Sequence, residues 1–340
     1  MYWPKGGPAA WTGGHCSRGI SQAADSWQLA EGANHLFDHY VLVSNSSATE
    51  TAKAKFTFMD NDGNTASHKQ DIGPLSRYTV KVNDIPGWES KNQVSTMVES
   101  LNGVPVFAER SMYWPRGGPW SDGHNSIGAS SPAQKWHLPE GANHLFDHYV
   151  LVVNPTDAPA TVKFTFMDHQ GDTAVHQQEV GPRSRYTVKV NNVPGWENRD
   201  QVSTVVESIG GSPIFAERAM YWPRGGPWTG GHDSVSIAET PHYSFTSQYH
   251  PAGSQDENVL IYNPSNEAVT VSLQITNASG EVSDFEVEIG PRTSRIIRAK
   301  ERPETAAQVS GAATDTQVVV ESDIPVVVKG GVYRPRNTAD

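Results

Sequence analysis

Apolar and polar residues alternate along much of this chain. In the stretch TVKFTF, Val162, Phe164 and Phe166 alternate with Thr and Lys, and Val269, Leu273 and the residues around them alternate in the same way. A period of two predicts a β-strand with one buried face. No stretch keeps the 3.6-residue period of an amphipathic helix. The pattern therefore predicts an all-β protein.

Turn signals divide the alternating stretches into short strands. Gly63, Gly171 and Gly280 each follow such a stretch amid Asp, Asn or Ser, which is typical of hairpin turns. About seven strands in about 90 residues are expected for an immunoglobulin-like β-sandwich, with a seven-stranded barrel as the alternative. In the central part of the chain we expect strands to start near Trp136, Tyr149, Val162, Ala174, Arg185, Val202 and Ile214.

The sequence contains internal repeats of sandwich size. EGANHLFDHYVLV occurs at residues 31–43 and again at 140–152, an offset of 109, and FTFMD, SRYTVKV, PGWE and FAER recur with it. A degenerate third copy keeps VLIYNP and IGPRTSR. We therefore predict three tandem immunoglobulin-like β-sandwich domains. The predicted units are an N-terminal segment (1–20), repeat 1 (21–111), repeat 2 (112–219) and the degenerate repeat 3 (220–336). The first segment and the starts of repeats 2 and 3 contain a connecting sequence, called the seam below.

An aromatic phrase separates the repeats. It reads MYWPKGGPAAWTGGHCS at 1–17, MYWPRGGPWSDGHNS at 112–126 and MYWPRGGPWTGGHDS at 220–234. A flexible linker would be rich in Gly and Ser and poor in large aromatics. Paired Trp residues with fixed prolines instead predict an ordered seam that packs between domains. The predicted seam residues are Tyr2, Trp3, Trp11, Tyr113, Trp114, Trp120, Tyr221, Trp222 and Trp228.

Composition narrows the functional classes. The 340 residues carry a formal net charge of −11 with acidic and basic residues interspersed, which argues against a nucleic-acid partner. No apolar run approaches the length of a membrane span. Cys16 is the only cysteine, so there is no intrachain disulfide framework and no thiolate zinc cluster.

The candidate metal and catalytic motifs are weak. His35 and His39 stand four residues apart, but the stretch runs into a strand, where such side chains lie about 13 Å apart. His232 and Asp233 change to His-Asn and His-Cys in the other copies, and the acidic loop at 60–62 is matched by Asp168-His-Gln in repeat 2, which does not support a calcium site. No nucleophile elbow or phosphate-binding glycine loop is present. We predict no metal, no cofactor and no enzymatic activity.

Two further sets of residues are candidates. Trp88 and Trp196 lie in the PGWE loop, whose turn needs no aromatic, and this favours a ligand or partner contact such as a cell-wall glycan. Aspartates before the second strand and arginines opening the fifth would face each other in neighbouring strands. The predicted ion pairs are Asp38–Arg77, Asp147–Arg185 and Asp256–Arg295.

These motifs resemble a known repeat. ERAMYW…GGHDS, followed by W.L.EG, YVLV.NP and GP.SR.TV.V, is similar to tandem β-sandwich repeats of bacterial cell-surface and secreted proteins, a family largely of unknown function. The resemblance covers the first two repeats and most of the third, where YHPAGSQDEN replaces EGANHLFDHY. It implies an exported, non-enzymatic module located at the cell surface or outside the cell.

Three functions follow as hypotheses. The first is a structural module of a surface layer, stalk or extracellular filament. The second is an adhesin or carbohydrate-binding module that uses exposed Trp loops, and the third is an accessory β region of a larger secreted enzyme. For the first, we expect self-association with neighbouring repeats of a longer chain, or head-to-tail assembly in which residues 1–20 dock on the third domain of the next copy.

Overall fold

The computed structural model describes residues 2–3, 13–14, 19–236, 240–249, 256–276, 280–298 and 314–333. Within these ranges the chain is built of antiparallel strands with two short 3-10 turns, at Val82–Asp84 and Val190–Asn192. The predicted all-β class is confirmed, and the paired sheets are those of β-sandwich domains.

Repeat 1 forms two four-stranded sheets. Its strands are β3 (Ser26–Leu29), β4 (Asp38–Asn45), β5 (Ala52–Met59), β6 (Thr65–Ile72), β7 (Ser76–Lys81), β8 (Ser95–Ser100), β9 (Phe107–Trp114) and β10 (Asp122–Ile127). The two sheets have the strand orders β3-β8-β5-β6 and β7-β4-β9-β10. Gly63 adopts a φ of +80° at the β5–β6 turn, which explains why glycine is repeated there.

Repeat 2 has the same arrangement. Its strands are β11 (Lys135–Leu138), β12 (Asp147–Asn154), β13 (Ala160–Met167), β14 (Thr173–Val180), β15 (Ser184–Lys189), β16 (Ser203–Ser208), β17 (Phe215–Trp222) and β18 (Gly230–Val235). Its sheet orders are β11-β16-β13-β14 and β15-β12-β17-β18. All seven expected strand starts fall within two residues of the observed ones.

Repeat 3 combines the last two strands into one. Its described strands are β19 (Thr240–Tyr249), β20 (Asp256–Tyr262), β21 (Val269–Thr276), β22 (Val282–Ile289), β23 (Ser294–Arg298) and β24 (Thr314–Tyr333). The first part of β24 pairs with β19 and β21, and its last part pairs with β20, so this strand passes from one sheet to the other.

The strand order explains how the aromatic phrase is accommodated. In an immunoglobulin domain the last strand pairs with the sixth. Here the seventh strand, β9, pairs with the second strand, β4, and the first strand, β3, pairs with the sixth, β8. The other edge of β9 pairs with β10, so the phrase folds into a β9–β10 hairpin that extends the sheet of repeat 1. The phrase is thus a hairpin of the preceding repeat as well as a connection to the next.

Each repeat has its own hydrophobic cluster. In repeat 1 it contains Trp27, Phe56, Phe58 and Trp88, and repeat 2 has the matching residues. Val162, Phe164 and Phe166 all have no exposed surface, as their alternation predicted. A third, more aliphatic cluster lies within repeat 3.

The N-terminal phrase also pairs with itself. β1 (Tyr2–Trp3) pairs with β2 (Gly13–Gly14) in the register that Tyr221 and Trp222 have with Gly231 and Gly230. The β2 backbone lies beside β10, as β10 lies beside β18. Trp11 lies outside the described residues, as do the side chains of Tyr2 and Trp3.

Candidate functional site between the repeats

An aspartate in each repeat holds the hairpin that the aromatic phrase forms, β9–β10 in repeat 1 and β17–β18 in repeat 2. Asp38 Oδ2 accepts hydrogen bonds from the Gly117 amide at 2.9 Å and the Trp120 indole at 2.7 Å. Its Oδ1 lies 2.9 Å from the Lys81 ammonium. Burial raises the pKa of Asp38, but these donors outweigh it and leave the pKa lowered. In repeat 2, Asp147 makes the same contacts with Gly225, Trp228 and Lys189.

Alternate faces of the last strands form the contact between repeats 1 and 2, called the 1–2 interface below. On β9, Arg110, Met112 and Trp114 point to the same side as the core residue Ala108, but they lie beyond the core of repeat 1. On β17, the opposite set, Glu217, Ala219 and Tyr221, receives them. Because side chains alternate along a strand, the last strand of a repeat can contact the preceding repeat with one face and the following repeat with the other.

Aromatic packing makes up one part of the 1–2 interface. Phe37 and Trp114 of repeat 1 pack with Leu151, Ala219 and Tyr221 of repeat 2. The Trp114 ring lies edge-on to both Phe37 and Tyr221, with centroids 5.5 and 5.6 Å away, and its indole donates to the Trp228 carbonyl at 3.1 Å. Trp114 is 4% exposed, so this tryptophan of the phrase is buried in the contact.

A buried ionic cluster makes up the other part. Arg110 has no exposed surface; its Nη1 lies 2.8 Å from Glu217 and its Nη2 lies 2.9 Å from Glu31 and contacts Asp233. Glu217 also accepts the backbone N–H groups of Ala30 and Glu31 across the interface. His124 lies 2.9 Å from Asp233. The cluster therefore joins both repeats through charge-assisted hydrogen bonds.

Burial and charge shift the pKa values in this cluster. Burial lowers the pKa of His124, but the Asp233 and Glu31 carboxylates outweigh it and raise the pKa above its usual value. Burial raises the pKa of Glu217 despite Arg110. Burial also opposes ionisation of Asp233, yet Arg110 and His124 hold its pKa well below the usual range.

The carboxylates and histidine of this cluster also have the composition of a metal site. One ligand atom each from Glu31, His124 and Asp233 lies within 4.8 Å of the others. The Arg110 guanidinium lies against both carboxylates, so a divalent cation placed there would be repelled by it at close range in a buried site. The arrangement is that of an ionic network rather than a metal centre.

Arg185 forms a second clasp at the 1–2 interface. Its Nη1 reaches from β15 into repeat 1 and donates to the carbonyls of Gly32 at 2.9 Å and Val94 at 3.0 Å. Its Nη2 donates to Thr187 Oγ1. Burial lowers the pKa of Arg185 to about 10.

The contact between repeats 2 and 3, called the 2–3 interface below, uses the same places with other residues. Arg218 and Glu140 stand where Arg110 and Glu31 stand, 3.0 Å apart. Lys329 takes the place of Glu217, since it lies opposite Leu260 as Glu217 lies opposite Leu151, and it contacts Glu140. Tyr262 donates its hydroxyl to the Met167 sulfur. Burial lowers the pKa of Lys329 to about 8.

The predicted Asp–Arg pairs do not form where both side chains are described. Asp38 and Asp147 pair with Lys81 and Lys189, because these lysines lie opposite Tyr40 and Tyr149, two residues along the strand. Arg77 and Arg185 lie opposite Ser44 and Val153, which are about 20 Å along the strand from Asp38 and Asp147. Arg77 is exposed and donates to Thr79.

The third predicted pair rests on a shifted alignment. Ser294, opposite Tyr262, takes the place of Arg185, and Arg295 lies one position later and donates to the Glu288 carbonyl. The side chain of Asp256 lies outside the described residues.

The prediction that Trp88 and Trp196 contact a ligand is wrong in its premise of exposure. They are 5% and 4% exposed and belong to the cores of repeats 1 and 2, where they pack near Phe58 and Phe166. The PGWE loop folds its indole inward because the end of the sandwich needs an apolar side chain to close the core. Lys91 lies over the Trp88 ring.

The remaining seam aromatics differ in exposure. Tyr113 stacks on Trp120 and Tyr221 stacks on Trp228, both with centroids 4.5 Å apart. Trp120 is 39% exposed. Trp222 is half-buried and lies edge-on to Phe146.

Sequence reasoning missed Glu31, Arg110 and Glu217. A signal was present, since FAER places a Glu and an Arg within an otherwise apolar strand in both copies. Charged residues in such a strand are rarely buried unless they are paired. The repeated pair was therefore a sign of a buried ionic contact.

The comparisons with known proteins return distant structures. No family model and no curated protein matches. A Thermotoga maritima protein designated 1070 is 21% identical over 32% of this chain and 96% of its own, with a TM-score of 0.29. The Anabaena sensory rhodopsin transducer is 22% identical over 29% of this chain and all of its own, with a TM-score of 0.24.

Another structure in the comparison is itself a tandem array. A tetra-tandem repeat from the extending region of a large adhesion protein is 12% identical over 87% of this chain and 70% of its own, with a TM-score of 0.17. All three TM-scores lie below 0.5, so the functional argument rests on the contacts between the repeats. In the described part of the chain, no helix is long and apolar enough to cross a membrane.

Proposed function

We propose that this protein is a non-enzymatic structural module of a bacterial cell-surface assembly, such as a surface layer, stalk or extracellular filament. The observation that carries the proposal is the 1–2 interface, in which a fully buried Arg110 joins carboxylates of two repeats beside a layer of aromatic rings. An ordered contact of this kind holds neighbouring repeats at one angle, whereas independent binding modules need only a flexible linker.

The internal geometry also supports assembly beyond one chain. The contact is heterologous, because repeat 1 offers Arg110 and Trp114 while repeat 2 offers Glu217 and Tyr221. Heterologous contacts generate an open filament when the rotation between neighbours does not close a ring. The matching outer face of repeat 1 contains Leu42 and Arg77, which are half-buried and exposed. Association of the outer face of repeat 1 with a further repeat, either in a second copy of the chain or in a longer chain, is therefore part of the proposal.

The alternative carbohydrate-binding function has lost its two proposed residues. Trp88 and Trp196 are buried, so they cannot stack on a sugar without unfolding the end of the sandwich. Trp120 is exposed but is held by Tyr113 and Asp38. The structural function is therefore favoured over glycan binding.

Small-angle scattering of matched variants tests the proposal. Trp114→Ala removes a ring that lies outside the core cluster of repeat 1 and packs on Tyr221 of repeat 2, so we expect a broader distribution of particle dimensions with the repeats still folded. Trp88→Ala removes a core ring, so we expect a loss of roughly 3–5 kcal/mol in the free energy of unfolding. Freely swivelling repeats in the unmutated protein would contradict the proposal.

Light scattering and electron microscopy test the assembly step. We expect concentration-dependent polymers from the full chain and fewer polymers after deletion of residues 1–20. A protein that stays monomeric at high concentration, or a truncated chain that polymerises equally well, would exclude the head-to-tail contact.

A further inference from the structure

A cavity of about 390 Å³ lies at the 2–3 interface. Repeat 2 contributes His169 and Gln201 to its wall. Repeat 3 contributes Glu288, Ile289, Gly290, Thr293, Ser294, Arg295 and Ile296. Its volume lies at the small end of the range for sites of small ligands.

The cavity occurs where an arginine has been lost. Ser294 stands at the place of Arg185, and the Arg185 side chain crosses the 1–2 interface to two backbone carbonyls. Ser294 is 6% exposed, and its hydroxyl has no hydrogen-bond partner. A buried polar group without a partner is costly and rare, so it indicates a place where another group donates or accepts.

The loop that receives the guanidinium is preserved. In repeat 1 the Val94 amide donates to the Gly32 carbonyl at 2.7 Å, and in repeat 2 the Val202 amide donates to the Gly141 carbonyl at 2.7 Å. Gly141 and Val202 occupy the places of the two residues that accept from Arg185. Gln201, the chain neighbour of Val202, lines the cavity.

We propose that the cavity at the 2–3 interface binds an alkylguanidinium group, in the position that the Arg185 side chain occupies at the 1–2 interface. Its planar fork of N–H donors suits a pair of carbonyls and an orphan hydroxyl. Glu288 on the exposed rim adds a favourable charge, and Lys329, which takes the place of Glu217, adds an opposing one that its contact with Glu140 offsets. Arg295 on the same rim must stay on its Glu288 carbonyl for the ligand to enter. The group comes either from a free small molecule or from an arginine in a peptide.

Calorimetric titration of the full chain with n-propylguanidinium tests the proposal, with n-butylammonium as the matched cation. We expect one site with a dissociation constant on the order of 1 mM. The ammonium ion should bind about tenfold more weakly, because it cannot make the planar contacts. Equal binding of both ions, or no binding of guanidinium, would overturn the proposal.

Two variants locate the site. Ser294→Arg rebuilds the arrangement of the 1–2 interface, so it should fold and lose guanidinium binding. Arg185→Ser opens the matching place, so n-propylguanidinium should restore its thermal stability and raise the stoichiometry to two. Unchanged binding in Ser294→Arg, or the absence of rescue in Arg185→Ser while that variant remains folded, would contradict the assignment.

The peptide Gly-Arg-Gly separates the two sources of the group. Binding of both probes indicates an arginine presented by a partner, and binding of n-propylguanidinium alone indicates a free small molecule. Both results support a guanidinium site. The scattering tests of stiffness do not depend on the cavity, so the structural proposal and the binding proposal can fail separately.

Discussion

The 1–2 and 2–3 interfaces use the same positions with different charges. At the 1–2 interface Arg110 is surrounded by Glu31, Glu217 and Asp233. At the 2–3 interface Arg218 and Lys329 share Glu140. The Arg–Glu pair of the preceding repeat can therefore contact either an acidic or a basic residue of the following repeat. The acidic residue, Glu217, pairs with the arginine, and the basic residue, Lys329, pairs with the glutamate. The Arg–Glu pair is the same in repeats 1 and 2, and the residue of the following repeat determines whether the arginine or the glutamate gains a further partner.

Replacing the central arginine of each interface should give the largest difference in stability between variants of the two interfaces. Arg110→Met leaves three buried carboxylates without their guanidinium, so we expect a loss of about 3–5 kcal/mol in the free energy of unfolding. Arg218→Met should lose less, because Lys329 still neutralises Glu140. Urea denaturation measures both, and equal losses would mean that the charge difference between the interfaces has no energetic effect.

The second tryptophan of each phrase should also differ between the hairpins. Trp228 stacks over Phe37 of repeat 1 and its carbonyl accepts from Trp114, whereas Trp120 is exposed in the described structure. We expect Trp228→Ala to cost about 2 kcal/mol and Trp120→Ala less than about 1 kcal/mol. Thermal unfolding of the two variants checks this order, and the reverse order would refute the interface role of Trp228.

The equivalent histidines should respond to pH in opposite directions. The pKa of His124 is raised, so its contribution is fully present below its unfolded pKa, about 6.5, and is lost as the pH rises through the folded value. Burial lowers the pKa of His232 to about 3, so its contribution is present above about 6.5 and is lost as the pH falls toward 3.

Denaturation of His124→Gln and His232→Gln across this pH range tests the opposition. The His124 variant should lose the decline in stability at rising pH, and the His232 variant should lose the decline at falling pH. If both variants change the same limb of the profile, the assignment of opposite shifts is wrong.

The smallest expected effect concerns the aspartate that clips the hairpin. Lys81→Gln removes the partly exposed partner of Asp38 and should cost about 1 kcal/mol. Arg77→Gln alters an exposed side chain and should change stability by less than about 0.5 kcal/mol. A larger loss of stability from Arg77→Gln than from Lys81→Gln would favour the Asp38–Arg77 pair that the sequence predicted.

The sequence by itself determined the elements of this protein. Alternation in TVKFTF, the glycine turns and the offset of 109 residues predicted strand positions and tandem repeats, because these depend on local backbone geometry and on which face must be buried. It also predicted that the aromatic phrase is ordered, since large rings such as Trp114 are seldom left free in a linker.

Only the tertiary structure decided which residues meet. Ser294, and not Arg295, takes the place of Arg185 because the strand pairing of repeat 3 is shifted by one residue from the sequence alignment. Asp38 pairs with Lys81 because strand register places the lysine two residues along from it. Trp88 is buried because the loop turns into the sandwich. Arg110 lies among the carboxylates of two repeats because the packing of one repeat on the next brings together residues more than 100 positions apart, a relation that periodicity within a repeat does not contain.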